Sequence, residues 1–180
     1  MLGGDVVGYL QKPVFSLVNK FSQTENKTIV NTTTETSLIG AGIGDVTFPI
    51  AHFYEGNSIE FNTKGFMSAT NGDTARLRLY FGSTVIVDST ATIPATFTNV
   101  SFDSNFVLTY RGNNKFIGQG KTTIYAGQAL TTQYSRELLM LSEATIDILQ
   151  AHDFDITYEW GTAREGNTVT VTNMVVTEVR

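Results

Sequence analysis

Two histidines, His52 and His152, 17 acidic residues and no cysteine limit the chemistry this chain can perform. The stretch HDFD, residues 152 to 155, sets an imidazole beside two carboxylates, donor types that serve metal binding or hydrolysis. Its setting argues against a site. Phe154, Ile156, Tyr158 and Trp160 alternate with Asp153, Asp155, Thr157 and Glu159, and this period of two puts His152 on the face opposite Asp153 and Asp155. No G-x-S-x-G elbow presents an activated serine. GAGIG, Gly40 to Gly44, lacks the GK[ST] ending and the following helix that would aim backbone N–H groups at a phosphate, so it reads as a bend between strands. Nothing singles out a carboxylate pair for glycoside hydrolysis, although two acids can meet across a sheet in ways a sequence does not reveal. The residues therefore predict no catalytic group, no metal ligand and no cofactor, and the chain is expected not to be an enzyme. Trp160, Tyr158, Phe53, Tyr54 and Phe61 are aromatics of the kind that stack on sugar faces. A lone Trp that continues an alternating strand is expected in the core instead.

These groups need elements to position them, and the composition favours strands. The segments are rich in threonine, β-branched and aromatic residues, which suit a pleated surface. At 180 residues and 41% hydrophobic, one domain with a substantial core is expected. Alternation predicts strands over 28–36, 44–50, 58–67, 74–81, 84–89, 96–102, 105–110, 115–125, 144–150, 154–160 and 168–179. NGD at Asn71–Asp73, FGS at Phe81–Ser83 and RGNN at Arg111–Asn114 are turn signals, since Gly and Asn accept positive φ. SRELLMLSEA, residues 135 to 144, reads equally as a short helix capped by Ser135 or as a loop with one helical turn. The predicted fold is all-β: an antiparallel β-sandwich, jelly-roll-like, over residues 28–180, preceded by a short N-terminal arm over 1–27.

The arm has its own pattern. Val14, Leu17, Val18 and Phe21 fall at the spacing of an amphipathic helix in a segment also β-branched enough for a strand. With Phe15 they form the expected partner-binding set: Val14, Phe15, Leu17, Val18 and Phe21. The first residues lack a basic n-region, and Asp5, Gly8 and Gln11 interrupt any apolar run, so neither export nor a membrane span is expected. The N-x-[ST] matches at Asn26, Asn31 and Asn99 carry little weight in a threonine-rich chain. A formal charge of −5 opposes direct nucleic-acid binding, which depends on clustered Lys and Arg.

Four stretches, in order, carry a resemblance: TETSLIGAGIGDVTFPI, RLRLYFGSTVIVDST, NKFIGQGKTTIY and DFDITYEWGTAREGNTVTVTNMVVTEV. Together they resemble a jelly-roll-like domain of structural proteins in tailed bacteriophages and prophages, over about residues 33 to 178. The resemblance implies a virion component, made in the bacterial host cytoplasm, and offers no catalytic residues. It does not distinguish head from tail. A short arm with no shaft or repeat segment suits a capsid decoration or head-fibre subunit, expected as a homotrimer anchored by its arm to the major capsid protein or another virion protein. The alternative is a receptor-binding tail fibre or spike recognising a host-surface glycan.

Overall fold

Apolar and polar side chains alternate along the long strands, and this alternation decides the layering. The computed structural model describes residues 16–126 and 132–180. Its strands are β1 Leu17–Gln23, β2 Lys27–Val30, β3 Thr36–Ser37, β4 Gly42–Gly44, β5 Thr47–Phe48, β6 Ser58–Ala69, β7 Thr74–Phe81, β8 Thr84–Thr92, β9 Phe97–Tyr110, β10 Lys115–Ala126, β11 Thr132–Leu139, β12 Ala144–Thr145, β13 His152–Trp160 and β14 Thr168–Val179. They form two antiparallel sheets, as an all-β sandwich requires. The large sheet runs β11-β10-β9-β6-β14-β1-β4, with β12 beside β10 and β2 beside β14. The small sheet runs β3-β13-β7-β8, with β5 beside β13. Among the described residues there is no helix, and hence none long and apolar enough to cross a membrane.

Between the sheets, most inward residues are apolar. β13 contributes Phe154, Ile156, Tyr158 and Trp160, all buried, and β9 contributes Phe102, Phe106, Leu108 and Tyr110. Where an extra residue enters a strand, the alternation shifts. Between β7 and β8 the register slips so that Leu79 faces Val87 and Tyr80 faces Val85, and Ile86 and Val87 are buried in succession. The hairpin joining these strands is the one the FGST turn predicts: Phe81 faces Thr84, and Gly82 has φ +61, the positive angle a type II′ turn needs at its first central position.

One end of the sandwich is closed by aromatic rings that touch across the sheets. Phe53, on the loop after β5, packs edge-on against Phe81 of the small sheet at 5.6 Å and against Phe116 of the large sheet at 5.3 Å. Phe81 and Phe116 are themselves 5.4 Å apart. Phe48 and Tyr110 complete the plug. The fit extends to Gly118 on β10, where an added Cβ would lie 2.4 Å from the Phe106 ring.

Three expectations are corrected. The arm expected over 1–27 is not separate from the domain in its described part: Leu17–Gln23 is a strand paired with β14 on one side and β4 on the other. Phe21 is buried there, because β14 offers an open ladder edge and the core a place for the ring. Val14 and Phe15 lie outside the described residues. SRELLMLSEA is not helical: through Leu139 it belongs to β11, paired from Thr132 to Leu139 with β10. Leu, Glu and Arg favour helices only weakly, and eight registered pairs along an exposed strand edge outweigh that preference. Finally, the strands expected over 96–102 and 105–110 are one, β9. Ser104 obscured the pattern by facing inward, where its hydroxyl bonds to that of Thr122.

Because Trp160 is fully enclosed, Trp160→Ala should destabilise the protein by about 3–5 kcal/mol in urea unfolding. Gly118→Ala should cost about 1–3 kcal/mol by displacing Phe106. An unfolding midpoint unchanged by either substitution would show that the packing around that residue is not as described.

Candidate functional site

The end closed by the aromatic plug is also where the chain's N-terminal segment joins the domain. Ser16 and Arg180 exchange backbone hydrogen bonds of 3.0 Å, and Leu17 faces Val179 in the next pair. Ser16 thus lies beside Arg180. Exposed apolar side chains stand on the strand and loops of this end, Leu141 at the opposite edge of the large sheet. Leu17 is 73% exposed, Ile50 62%, Tyr54 74%, Leu141 95% and Leu149 68%. The backbone ties their loops to the same end: Ala51 N–H donates to Ile148 C=O, Met140 N–H to Gly118 C=O, and Tyr110 N–H to Asn57 C=O. Of the five residues expected in the arm, Leu17 and Val18 are exposed here and Phe21 is core.

A broad groove of about 730 Å³ lies on the outer face of the large sheet. Strand register builds it. Asn105 faces Lys121, which faces Glu137, and Val107 faces Gln119, which faces Leu139. Amide, ammonium and carboxylate groups thus stand in rows beside the partly exposed Val107 and Leu139. This arrangement can hydrogen-bond a polyhydroxylated ligand, but it presents no nucleophile next to a base.

The outer face of the small sheet carries a denser polar network. Glu35, just before β3, accepts hydrogen bonds from Arg78, from the Thr157 hydroxyl and from Tyr80 Oη at 2.7 Å. Arg76 Nε donates to Asp88 at 2.7 Å, Ser37 Oγ to Asp155 at 2.6 Å and Thr47 Oγ1 to Asp153 at 2.7 Å. Burial and the Glu35 hydrogen bond push the Tyr80 hydroxyl up to about 12, and burial raises Asp155 above the usual carboxylate range. Each carboxylate named here is already engaged by a neighbouring donor, so the network locks Glu35 and its loop to the sheet.

The other residues nominated from sequence fall apart as a site. Trp160, Tyr158, Phe53 and Phe61 are buried, and only Tyr54 of that set is exposed; they form no sugar-stacking surface. His152 packs against the Phe81 ring and its Nε2 lies 2.7 Å from Asp147 C=O, while Asp153 and Asp155 are held by Thr47 and Ser37 on the opposite face. Among the described residues, no three His, Asp or Glu side chains are grouped to hold a metal. His52 was not linked to a partner by sequence reasoning, yet it meets one 126 positions away in the chain's last strand.

That partner is Glu178. The side chain is fully buried on β14, with His52 Nε2 at 2.9 Å and Arg180 Nε donating at 2.8 Å. Burial alone would raise its pKa, but the hydrogen bonds and charges of Arg180 and His52 outweigh this and hold the carboxyl below its usual value. A carboxyl depressed in the folded state stabilises the fold above its unfolded pKa, and that contribution is lost as pH falls through the folded one. The wild-type protein should therefore lose stability below about pH 4.5. Glu178→Gln should flatten this acid limb in pH-dependent thermal melts while lowering stability at neutral pH. An acid limb unchanged in the variant would remove Glu178 as its source.

No protein-family model matches the chain, and no curated protein sequence matches it. Solved structures align with it at low identity. The CBM2 module of the evolved Dit of Lactobacillus casei BL23 phage J-1 aligns at 7% identity and a TM-score of 0.36, over 73% of this chain and 66% of that one. The lectin UEA-II complexed with galactose aligns at 12% identity and 0.42, over 91% and 92%. Winged bean acidic lectin complexed with methyl-α-D-galactose aligns at 9% and 0.39, over 94% of each chain.

Proposed function

We propose that this chain is a non-catalytic structural protein of a bacteriophage particle, a capsid decoration or head-fibre subunit that attaches by the end of the sandwich where its N-terminal segment enters. The observation that carries this reading is the coincidence, at one end, of the point where residue 16 joins the sheet and exposed Leu17, Ile50, Tyr54 and Leu149. Scattered exposed apolar residues are ordinary, whereas a group of them around an emerging segment suits an attachment surface. Several buried side chains of about 1.5–3 kcal/mol each would make such an attachment firm, and a particle multiplies it over many copies. The sequence stretches that carry the resemblance support the same reading; they supply β3, β4, β5, β7, β8, β10, β13 and β14. Virion proteins, the major capsid protein foremost, are the proposed partners, and self-association as a trimer is the proposed state on the particle.

The groove on the outer face of the large sheet favours a second reading, a receptor-binding tail protein that recognises a host glycan through Asn105, Gln119 and Lys121. The two readings use different surfaces and separate experimentally.

Deleting residues 1–15 leaves β1 and all its pairing in place, so the shortened protein should keep the wild-type melting temperature. It should lose attachment to particles, measured as occupancy after incubation and sedimentation. Wild-type occupancy by the shortened protein would sink the attachment reading. Retention of glycan or cell binding that is abolished by Asn105→Ala with Gln119→Ala would establish the second.

A further inference from the structure

Polar side chains on the outer face of the large sheet fall into satisfied and open rows. In one row Thr123 Oγ1 and Ser135 Oγ share a hydrogen bond of 3.2 Å, and beside them Tyr125 Oη donates to Asp103 at 2.6 Å. Further along the strands, the Ser58 and Thr109 hydroxyls lie 2.9 Å apart. Between these rows stand Asn105, Gln119, Lys121 and Glu137, all exposed, whose side chains make no hydrogen bond or ion pair among the described residues. The same four residues line the groove of about 730 Å³, a volume typical of clefts that hold small ligands.

Register sets what such a cleft can recognise. Asn105, Lys121 and Glu137 stand abreast on β9, β10 and β11, with Val107, Gln119 and Leu139 in the adjacent outward row. Opposed side chains start about 4.5–5.5 Å apart, so the Lys121 ammonium and the Glu137 carboxylate can both reach one ligand atom. A sugar hydroxyl is such an atom, because it accepts from an ammonium while donating to a carboxylate. The amides of Asn105 and Gln119 likewise donate and accept. Val107 and Leu139, 38% and 48% exposed, flank Gln119 and can carry the C–H face of a ring. A charged ligand is poorly matched: a carboxylate meets Glu137, an ammonium meets Lys121, and the formal charge of −5 adds to the repulsion of an anion.

We propose that the groove selects a neutral, linear hexose oligosaccharide lying along β9 and β10, with Lys121 and Glu137 jointly recognising one of its hydroxyls. This inference rests on the reading of the groove as a glycan site and names the class of glycan. The rows from Asn105 to Thr109 extend about 14 Å along the strands and about 10 Å across three of them, an elongated floor for a short chain. No aromatic ring lines the groove. One copy therefore holds the sugar weakly, and several copies on one particle raise the avidity.

The side-chain amides of Asn105 and Gln119 report on the groove in NMR spectra of the full-length protein. Titration with maltotriose, cellotriose and galactotriose should give, for at least one of them, saturable shifts of these amides with Kd on the order of millimolar. Trigalacturonate, the carboxylate counterpart of a neutral trisaccharide, should bind roughly tenfold more weakly. Glu137→Ala should weaken the neutral sugar roughly fivefold, the loss of one hydrogen bond, and strengthen trigalacturonate, at an unchanged melting temperature because Glu137 is exposed. Trigalacturonate binding in the groove as tightly as the neutral sugars, or a Glu137→Ala variant that binds every probe as the wild type does, overturns this inference and leaves the glycan reading standing. If no probe moves the Asn105 or Gln119 signals, both fall.

Discussion

The contact of Phe53 with Phe81 on one sheet and Phe116 on the other is the interaction on which the rest of the structure turns. Two sheets with apolar inner faces have no directional reason to stop at a given spacing or angle. Rings wedged between them supply one, since aromatic pairs prefer edge-on and offset arrangements and each buried ring contributes about 1.5–3 kcal/mol. The wedge also draws in the loop between β5 and β6, because Phe48 and Phe53 come from its two sides. His52 lies between them, and its approach to Glu178 fixes the loop to β14. In this way the closure of the core places the loop that carries Ile50 and Tyr54 beside the entering N-terminal segment.

The two ends of the sandwich are consequently unlike. At the plugged end, large rings fill the interior and apolar side chains reach the outside. In the other half, alanine, serine and threonine face one another, and the interior is left partly empty. There Tyr158 and Trp160 have buried polar atoms without partners, and the sheets are joined across their edges by Arg136. It sits on the inner side of an edge strand, and an inward-pointing charge at an edge discourages another chain from adding to the sheet. Its side chain joins the edge strands β11 and β8 through Ser89 and Thr90.

Polar chemistry on the outside follows the same geometry. Because every outward residue of a strand has registered neighbours, acids and bases on adjacent strands meet whether or not they lie near in sequence. Glu35 reaches Arg78, Tyr80 and Thr157 in this way, and the carboxylates of that face are matched by nearby donors. Such a network favours a fixed surface over a reactive one. Exposed apolar side chains at the end where residue 16 joins β14 are the basis of the proposed role on a particle.

Much of this was legible in the residues. Period-two alternation in DFDITYEW and RLRLYF placed β13 and β7 and put Trp160 inside, because the side-chain direction of a strand is a local property. FGST and RGNN marked their turns for the same reason, as positive φ is paid locally and suits only a few residue types. What the sequence did not contain was any outcome decided by a neighbour far along the chain. Leu17–Gln23 became a strand because β14 and β4 flank it, and SRELLMLSEA took an extended form because β10 had an open edge. Ser104 broke the pattern of β9 until Thr122 supplied its partner. The pairing of His52 with Glu178 and the rows of the outer groove arise only when two sheets are registered and stacked. Each depends on distances between residues that local preference does not constrain, and those distances were set by how the core closed.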